Sequence, residues 1–580
     1  MIESCTLRLS AADNPTTLEI ESLYEILADH LGVSPEEITY AKLVRYSFDA
    51  RVRQMQWNAA YKVWINEEPS EEDSAFVAEP ELPSPPSDSA PHAVIVGAGP
   101  AGLFCALELL RAGVQVTLCE RGLAVQERRK DIANLNKGMS VNPDSNYCFG
   151  EGGAGTFSDG KLFTRSGRKS DVRTLLEEFV AFGAPADILS NWRPHVGSNL
   201  LPKVVANIRE SLQKAGANIR FGTRVVEILT KNDSITGVRV ATDGGEEEIP
   251  TSALIMAHGH SSLDTLLMLK KAGAEMEAKG FAMGVRVEHP QSWVDDLQYQ
   301  GLKKSADLPA AFYELASKAH ERGVYSFCMC PGGWIVPSHT GEGRLSVNGM
   351  SLAKRDSPFA NSGCVVSIEP KDWCGKRGSR WGWDDLLRRA AAVSDAPILH
   401  EVIKDPKGGN DFPVAEGRLP IHPDIDPLFG IRLQWAMEVL AAHAGGGKNK
   451  APVQSCFDFI NNPTQSREPE KTSYLPGLTP VNMSSLLPKG IANRLLVGMM
   501  EFDKKMEGYI QFGQMIGAET RTSSPVRVLR ERETQENTTL KGLFPCGEGA
   551  GYAGGIMSAA LDGKRVASSV ANILKGLPLS

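Results

Sequence analysis

The feature that most constrains this chain is the stretch HAVIVGAGPAGLFCALELLRAGVQVTLCERG, residues 92–122, where Gly97, Gly99, Gly102 and Gly113 punctuate apolar runs. With Glu108 and Arg111 also inside it, the stretch is too polar and too interrupted to span a bilayer. Its pattern predicts a short buried parallel strand at 93–96, a helix at 101–110 stopped by Gly113, and a second strand at 114–119. Two parallel strands joined by a crossover helix commit the chain to an α/β architecture.

At the first turn, Gly97, Gly99 and Gly102 permit a tight bend, close approach of a pyrophosphate, and close packing of helix on strand. The helix N-terminus, from Pro100 and Ala101, turns free amide N–H groups towards an anion. Glu120 ends the second strand, where its carboxylate can accept hydrogen bonds from both hydroxyls of an adenosine ribose, and Arg121 follows it. The glycines alone are weak evidence. Strand, turn, helix, strand and acidic end together predict dinucleotide binding, against the competing reading of a tight turn with no ligand.

Residues 1–66 read as a small α+β module, with strands at 5–9 and 61–65, a helix at 17–30, and KLVRYSFDARVRQ unassigned between them. Residues 67–91, rich in acidic residues, serine and proline, read as an extended linker. Beyond the glycine unit, helical spacing at 202–215 precedes strands at 224–229 and 235–241 joined by a KNDS turn, then a strand at 253–256 running into AHGHSS. Residues 265–530 carry mixed signals, with no repeat and no second glycine fingerprint followed by an acidic strand end. Residues 543–574 return to a glycine-dense turn feeding a helix. The expected division is an N-terminal module at 1–66, a linker at 67–91, a nucleotide-binding domain at 92–264 and 531–580, and an inserted region at 265–530.

This order resembles the two-dinucleotide-binding-domain flavoprotein superfamily, in which FAD lies across the sheet with adenosine at the first turn and isoalloxazine near the C-terminal glycine–helix segment. The resemblance implies that the Val225 backbone contacts adenine and that AHGHSS, with Gly259, stands in for the family's A-T-G turn. It also implies that Glu548 faces the ribityl or pyrophosphate group, where the family commonly has Asp. FGEGGAGTFSDGKLFTR at 149–165, YSFCMCPGGWIV, GEGAGYAGGIMSAALDG and SFDAR at 47–51 more closely resemble an uncharacterised FAD-dependent dehydrogenase family with an N-terminal ferredoxin-like module. That resemblance implies a Rossmann-like FAD-binding domain with a large inserted α+β substrate or cap domain and a small ferredoxin-like α+β module. It implies FAD as cofactor and supplies no substrate.

The residues support that expectation on their own chemistry. Gly152, Gly153 and Gly155 offer backbone N–H groups to an anion, and Lys161 and Arg165 can balance phosphate or an acidic substrate, unless they are solvated cations beside a glycine turn. Gly554 and Gly555 allow close approach of a flat ring, and a helix beginning near Ile556 points its positive end at it. Reduced flavin is anionic there, so the helix would tune its potential; the bland alternative is a loop capping the last helix.

The ten cysteines include no C-x-x-C pair, and reduced thiols in a cytoplasm are the simplest expectation. Alternation on a strand puts Cys328 and Cys330 on one face, as a redox pair or substrate wall, but an extended strand strains such a disulfide and favours a structural role. His258 and His260 share a turn without partners at ligand spacing, so no metal is expected. AGGGKNK at 444–450 lacks the P-loop pattern. The start MIESCTLRLSAADNPTT has no basic-then-apolar leader, so neither export nor a membrane span is expected.

The expected function is an FAD-dependent oxidoreductase, dehydrogenase or reductase, moving a hydride at flavin N5 to or from a small-molecule substrate beneath the inserted region. Pocket candidates are Met329, Trp334, Asn348, Met350 and Tyr552, with no catalytic role assigned. NADH or NADPH as donor would have to bind without a second fingerprint of its own. Two alternatives stay open. One is a flavin-dependent RNA modifier whose N-terminal module binds RNA through Lys42, Arg45, Arg51 and Arg53, against which the net charge of -8 counts. The other is a non-enzymatic flavin sensor or scaffold with a protein partner, or an electron donor, at residues 1–66.

Overall fold

The computed structural model describes residues 1–51, 54–74, 77, 82–164, 167–300, 308–373, 378, 380–400, 426–464 and 467–578. A five-stranded parallel sheet runs in the spatial order Leu543–Pro545, Leu254–Met256, His92–Val96, Gln115–Cys119, Asn218–Arg220. Its inner strands are unbroken apolar runs, with Ala93, Val94, Ile95, Leu254, Ile255 and Met256 all fully buried, as a parallel sheet covered on both faces demands. The crossover helix Pro100–Arg111 packs against the last helix, Ile556–Lys575. Gly563 makes their contact close, because a Cβ there would lie 2.2 Å from the Ala101 carbonyl oxygen. The C-terminal fifty residues thus return to the glycine unit with both a strand and a helix.

The helix and strand expected at 202–215 and 253–256 are Leu201–Lys214 and Leu254–Met256. The predicted meander, Arg224–Lys231 and Ser234–Thr242, gains a third strand, Gly245–Pro250. That strand reads GEEEIP and is almost wholly exposed, so no apolar alternation announces it.

Between Phe281 and Glu519 the chain builds a seven-stranded sheet in the order Ala316–Ala319, Arg322–Cys330, Phe359–Ile368, Phe281–Pro290, Gln514–Glu519, Ala451–Ser455, Leu478–Pro480. All neighbours are antiparallel except the last pair. Helices Phe429–Gly445 and Lys489–Lys505 pack on this sheet through buried apolar faces. A short ladder of Met276–Ala278 with Val526–Val528 joins the chain's entry to its exit. Among the described residues, no helix is long and apolar enough to cross a membrane.

At the N-terminus, Ile2–Ser10, Gln56–Ile65 and Ile38–Asp49 form an antiparallel sheet in that order, flanked by helix Ile20–Leu31. The segment unassigned from sequence supplies most of the strand Ile38–Asp49. Register shifts between Ile38 and Tyr40 and between Leu43 and Arg45 break the period-two pattern that would have revealed it. A ferredoxin-like unit would add a fourth strand and a second packed helix; neither is among the described residues. The module is docked, since the Tyr46 N–H donates to the Ser190 carbonyl at 2.9 Å, the Trp192 N–H donates to the Tyr46 carbonyl at 3.2 Å, and Phe48 meets Tyr299 edge-on at 5.8 Å. Lys42 donates to the Asp73 carbonyl at 2.7 Å and Arg51 pairs with Asp49 at 2.9 Å; Arg45 is exposed, and Arg53 lies outside the described residues.

Candidate functional site

A cleft of about 730 Å³ opens along the C-terminal ends of the parallel strands, where Val96, Cys119 and Ala257 form its floor. This is the end of an open α/β sheet at which loops converge and ligands bind. Gly97 lines it with φ +105°, and a Cβ there would sit 2.4 Å from the Ala257 carbonyl oxygen, so both conformation and space exclude other residues. Gly99 faces open space, with only the Gly153 Cα at 3.8 Å, and Pro100 and Ala101 bring the helix N-terminus to the same wall. Gly153 lines the cleft as expected in sequence.

Two of the expected glycines, Gly102 and Gly152, do not line the cleft. Gly102 faces away from the cleft, because a Cβ there would meet the Gly97 carbonyl oxygen at 1.9 Å; its role is to seat the helix on the turn. Gly152 does not line the cleft either. Its N–H donates to the Ala98 carbonyl at 2.7 Å and its missing side chain leaves room for Thr156 and Val205, so it braces the glycine turn from behind.

Glu120 lines the cleft with 5% of its surface exposed. Its carboxylate accepts three backbone N–H groups, from Ala98 at 2.8 Å, Gly122 at 2.9 Å and Gly150 at 3.0 Å. It therefore ties the glycine turn to the 146–155 loop, a duty beyond the ribose contact read from sequence. Arg121 also lines the cleft, held by Asp144 at 2.6 Å and Asp264 at 3.0 Å with its guanidinium 4.4 Å over the Phe149 ring. The Thr223 N–H donates to the Glu120 carbonyl at 2.9 Å, and this brings Val225 to the same end.

Gly259, Glu548, Gly555 and Ile556 also line the cleft. Gly555, at φ +152°, precedes the helix N-terminus with nothing within 4 Å of the position a Cβ would take. His260 Nδ1 lies 3.6 Å from the Glu548 carboxylate. In the AHGHSS turn, His258 and Ser261 line the cleft, and their Nε2 and Oγ atoms are buried with no hydrogen-bond partner among the described residues. Burial pushes the His258 imidazole down to about 4, so it stands neutral. Buried polar atoms without partners cost free energy, and a cleft that gathers two of them is built for a ligand that supplies them. A glycine cradle with no side chains, an acidic acceptor at one end, unpartnered polar atoms in the turn and a helix N-terminus beyond fit FAD.

Lys161 lines the cleft, but its ammonium is directed at protein groups, with Asp159 at 3.5 Å, Cys328 Sγ at 3.6 Å and Cys330 Sγ at 3.8 Å. Arg165 lies outside the described residues. Of the pocket candidates, Asn348 lines the cleft, whereas Met329, Trp334, Met350 and Tyr552 do not. Tyr552 is occupied, its hydroxyl donating to the Val528 carbonyl at 3.0 Å under the Arg530 guanidinium. Met329 turns into the core because the strand bulges between Phe327 and Cys330, with Cys328 at φ +45°. The bulge sends Cys328 into the cleft and leaves Cys330 buried, so simple alternation does not hold there.

Sequence reasoning missed Arg128, on helix Val125–Asn136. It is fully buried and donates to the carbonyls of Asn146, Tyr147, Gly150 and Glu151, clamping the loop that Glu120 also holds. In the run QERRK it looks like a solvated cation, and no local signal marks it. Arg521, another lining residue missed, pairs with buried Glu438 through two hydrogen bonds of 2.7 Å.

Residues 280–382 and 415–522 match the model described as FAD-dependent protein, C-terminal domain-like, and residues 91–142 match an FAD binding domain. An uncharacterized protein of Clostridium beijerinckii is 35% identical over 97% of this chain and 97% of its own length. Protein FixC of Salmonella typhi is 28% identical over 37% of this chain and 48% of its own. A solved glycine oxidase from Bacillus cereus is 10% identical, with 84% of this chain and 95% of that one covered at a TM-score of 0.32. With a relative similar along its whole length and both parts of the C-terminal domain matched, the chain belongs to the FAD-dependent protein family that carries this domain.

Proposed function

We propose that this protein is an FAD-dependent oxidoreductase that moves two electrons, as a hydride at flavin N5, to or from a small-molecule substrate. The observation that carries the reading is convergence: Gly97, Gly99, Pro100, Ala101, Glu120, Gly153, Val225, Gly259, Glu548 and Gly555, scattered along the chain, line one cleft. In this reading residues 92–264 and 531–580 hold the cofactor and residues 265–530 cover its reactive end.

FAD, when bound, supplies the hydride chemistry. The chain's own residues position and tune. Glu120 keeps acceptor capacity for a ribose hydroxyl beyond its three N–H bonds, since a carboxylate has about four acceptor sites. The turn from Gly97 to Gly99 leaves room for a pyrophosphate at the N-terminus of helix Pro100–Arg111. Neutral His258 and Ser261 offer hydrogen bonds from the floor, and the N-terminus of helix Ile556–Lys575 favours negative charge that develops beside it.

No second glycine fingerprint stands in residues 265–530, so NADH or NADPH would deliver a hydride only by entering this same cleft. Anaerobic stopped-flow absorbance of the flavin band with each nucleotide tests the donor. Rapid bleaching by one identifies a nicotinamide-driven reductase; bound flavin that neither bleaches points to the organic substrate or another electron donor, or to a non-enzymatic role. A protein purified without flavin that fails to bind added FAD would overturn the reading.

A further inference from the structure

We propose that Cys328 and Cys330 form a dithiol pair that reduces small disulfides entering the cleft, Cys328 attacking and Cys330 resolving. Four observations carry it. Cys328 is exposed on the cleft wall and Cys330 is buried directly behind it. The strand is irregular at the pair, because Cys328 adopts φ +45° at the bulge, and the Cys330 thiol reaches the Cys328 carbonyl at 3.4 Å. The bulge departs from the regular strand on which a disulfide between alternate residues is strained.

Two cations, from different elements, surround the sulfurs. Lys161 Nζ lies 3.6 Å from Cys328 Sγ and 3.8 Å from Cys330 Sγ, and Arg286 Nη2 lies 3.5 Å from Cys330 Sγ while donating to the Cys328 carbonyl at 2.7 Å. The facing anions are each shared with a cation: Asp159 with Lys161 and Arg355, and Glu519 with Arg286 at 3.0 Å. The Cys330 thiol, donating to Cys328, and the Lys161 and Arg286 charges hold the Cys328 thiol well below its ordinary range. Its partner Cys330 is held well above. Elsewhere in the chain burial pushes thiols up, Cys364 to about 12, so Cys328 departs from the pattern of packed cysteines.

The step balances. The Cys328 thiolate attacks a disulfide RSSR, forming a Cys328–SR bond and expelling RS⁻. Cys330 gives its proton to that leaving thiolate, attacks Cys328 Sγ, forms the Cys328–Cys330 bond and expels a second RS⁻. The substrate gains two electrons and the pair loses two. Two electrons and one proton, from reduced FAD in the proposed reaction, restore Cys328 thiolate and Cys330 thiol, and only this restoration rests on the FAD reading.

The test uses the purified holoprotein, with oxidised glutathione as probe and peptide mass spectrometry as readout, flavin absorbance being recorded on the same samples. Wild type should lose two hydrogens between Cys328 and Cys330, Cys330→Ser should stop at glutathione bound to Cys328, and Cys328→Ser should do neither. Iodoacetamide should alkylate Cys328 at a pH well below the ordinary thiol range, and Lys161→Gln should move the pH midpoint of that alkylation up by roughly one unit. Ordinary alkylation unaffected by Lys161→Gln, or no glutathione adduct in Cys330→Ser, overturns the proposal. Inert thiols beside intact flavin condemn the dithiol alone, whereas working thiols without flavin condemn the FAD reading alone.

Discussion

At Gly99 the backbone has φ -79°, which any residue adopts, and the space before it is empty save for the Gly153 Cα at 3.8 Å. In the proposed reading, glycine is needed there for the cofactor and not for the fold. Gly99→Val should therefore keep its far-UV circular dichroism and melting temperature while losing the flavin absorbance band; a yellow G99V protein would contradict the cleft assignment. Glu120 differs, because three N–H groups depend on its carboxylate. Glu120→Ala should lose flavin and also about 3 kcal/mol of stability, read by denaturant unfolding of the apoprotein, since buried donors are left without an acceptor. Both residues were read from sequence as cofactor contacts, and both line the cleft. The second duty of Glu120 was not, because Gly150 approaches it from a loop thirty residues away.

At the level of elements, the helix Val125–Asn136 exists to aim one side chain. Arg128 enters the 146–151 loop and satisfies four carbonyls, and burial lowers its pKa to about 10 without neutralising it. Arg128→Met preserves bulk and removes every donor, so it should destabilise by roughly 3–5 kcal/mol and loosen flavin retention together. Measured unfolding free energy within 1 kcal/mol, on the order of an ordinary surface change, would refute the clamp. Elements with clean periodicity were legible: His92–Val96, Pro100–Arg111 and Gln115–Cys119 lie within a residue of their predicted bounds. Elements interrupted by bulges or carrying charge were not, as Ile38–Asp49 and Gly245–Pro250 show.

At the scale of the whole molecule, Glu438 and Arg521 join helix Phe429–Gly445 to the segment that follows strand Gln514–Glu519, and Arg521 forms part of the cleft wall. Burial works to raise the Glu438 carboxyl, but Arg521 and Arg344, with the Thr520 hydroxyl, hold it down at about 2. A carboxylate lowered on folding stabilises above its unfolded pKa, near 4.3, and loses that contribution as pH falls through the folded value. Unfolding free energy should thus decline between about pH 4 and 2 by roughly 3 kcal/mol from this group, and Glu438→Gln, already weaker at neutral pH, should show a correspondingly shallower fall. Equal acid slopes in the two proteins would contradict it. The sequence alone determined the parallel strands, the glycine turn and the acidic strand end, because their causes are local: side-chain volume, backbone freedom and periodicity over a few neighbouring residues. Only the tertiary structure decided that Lys161 and Arg286 face Cys328 and Cys330, that Arg128 is a buried clamp, and that Gly152 braces the glycine turn without lining the cleft. Those relations depend on where distant segments close on one another and on a single bulge that turns a side chain, neither of which is encoded at the positions themselves.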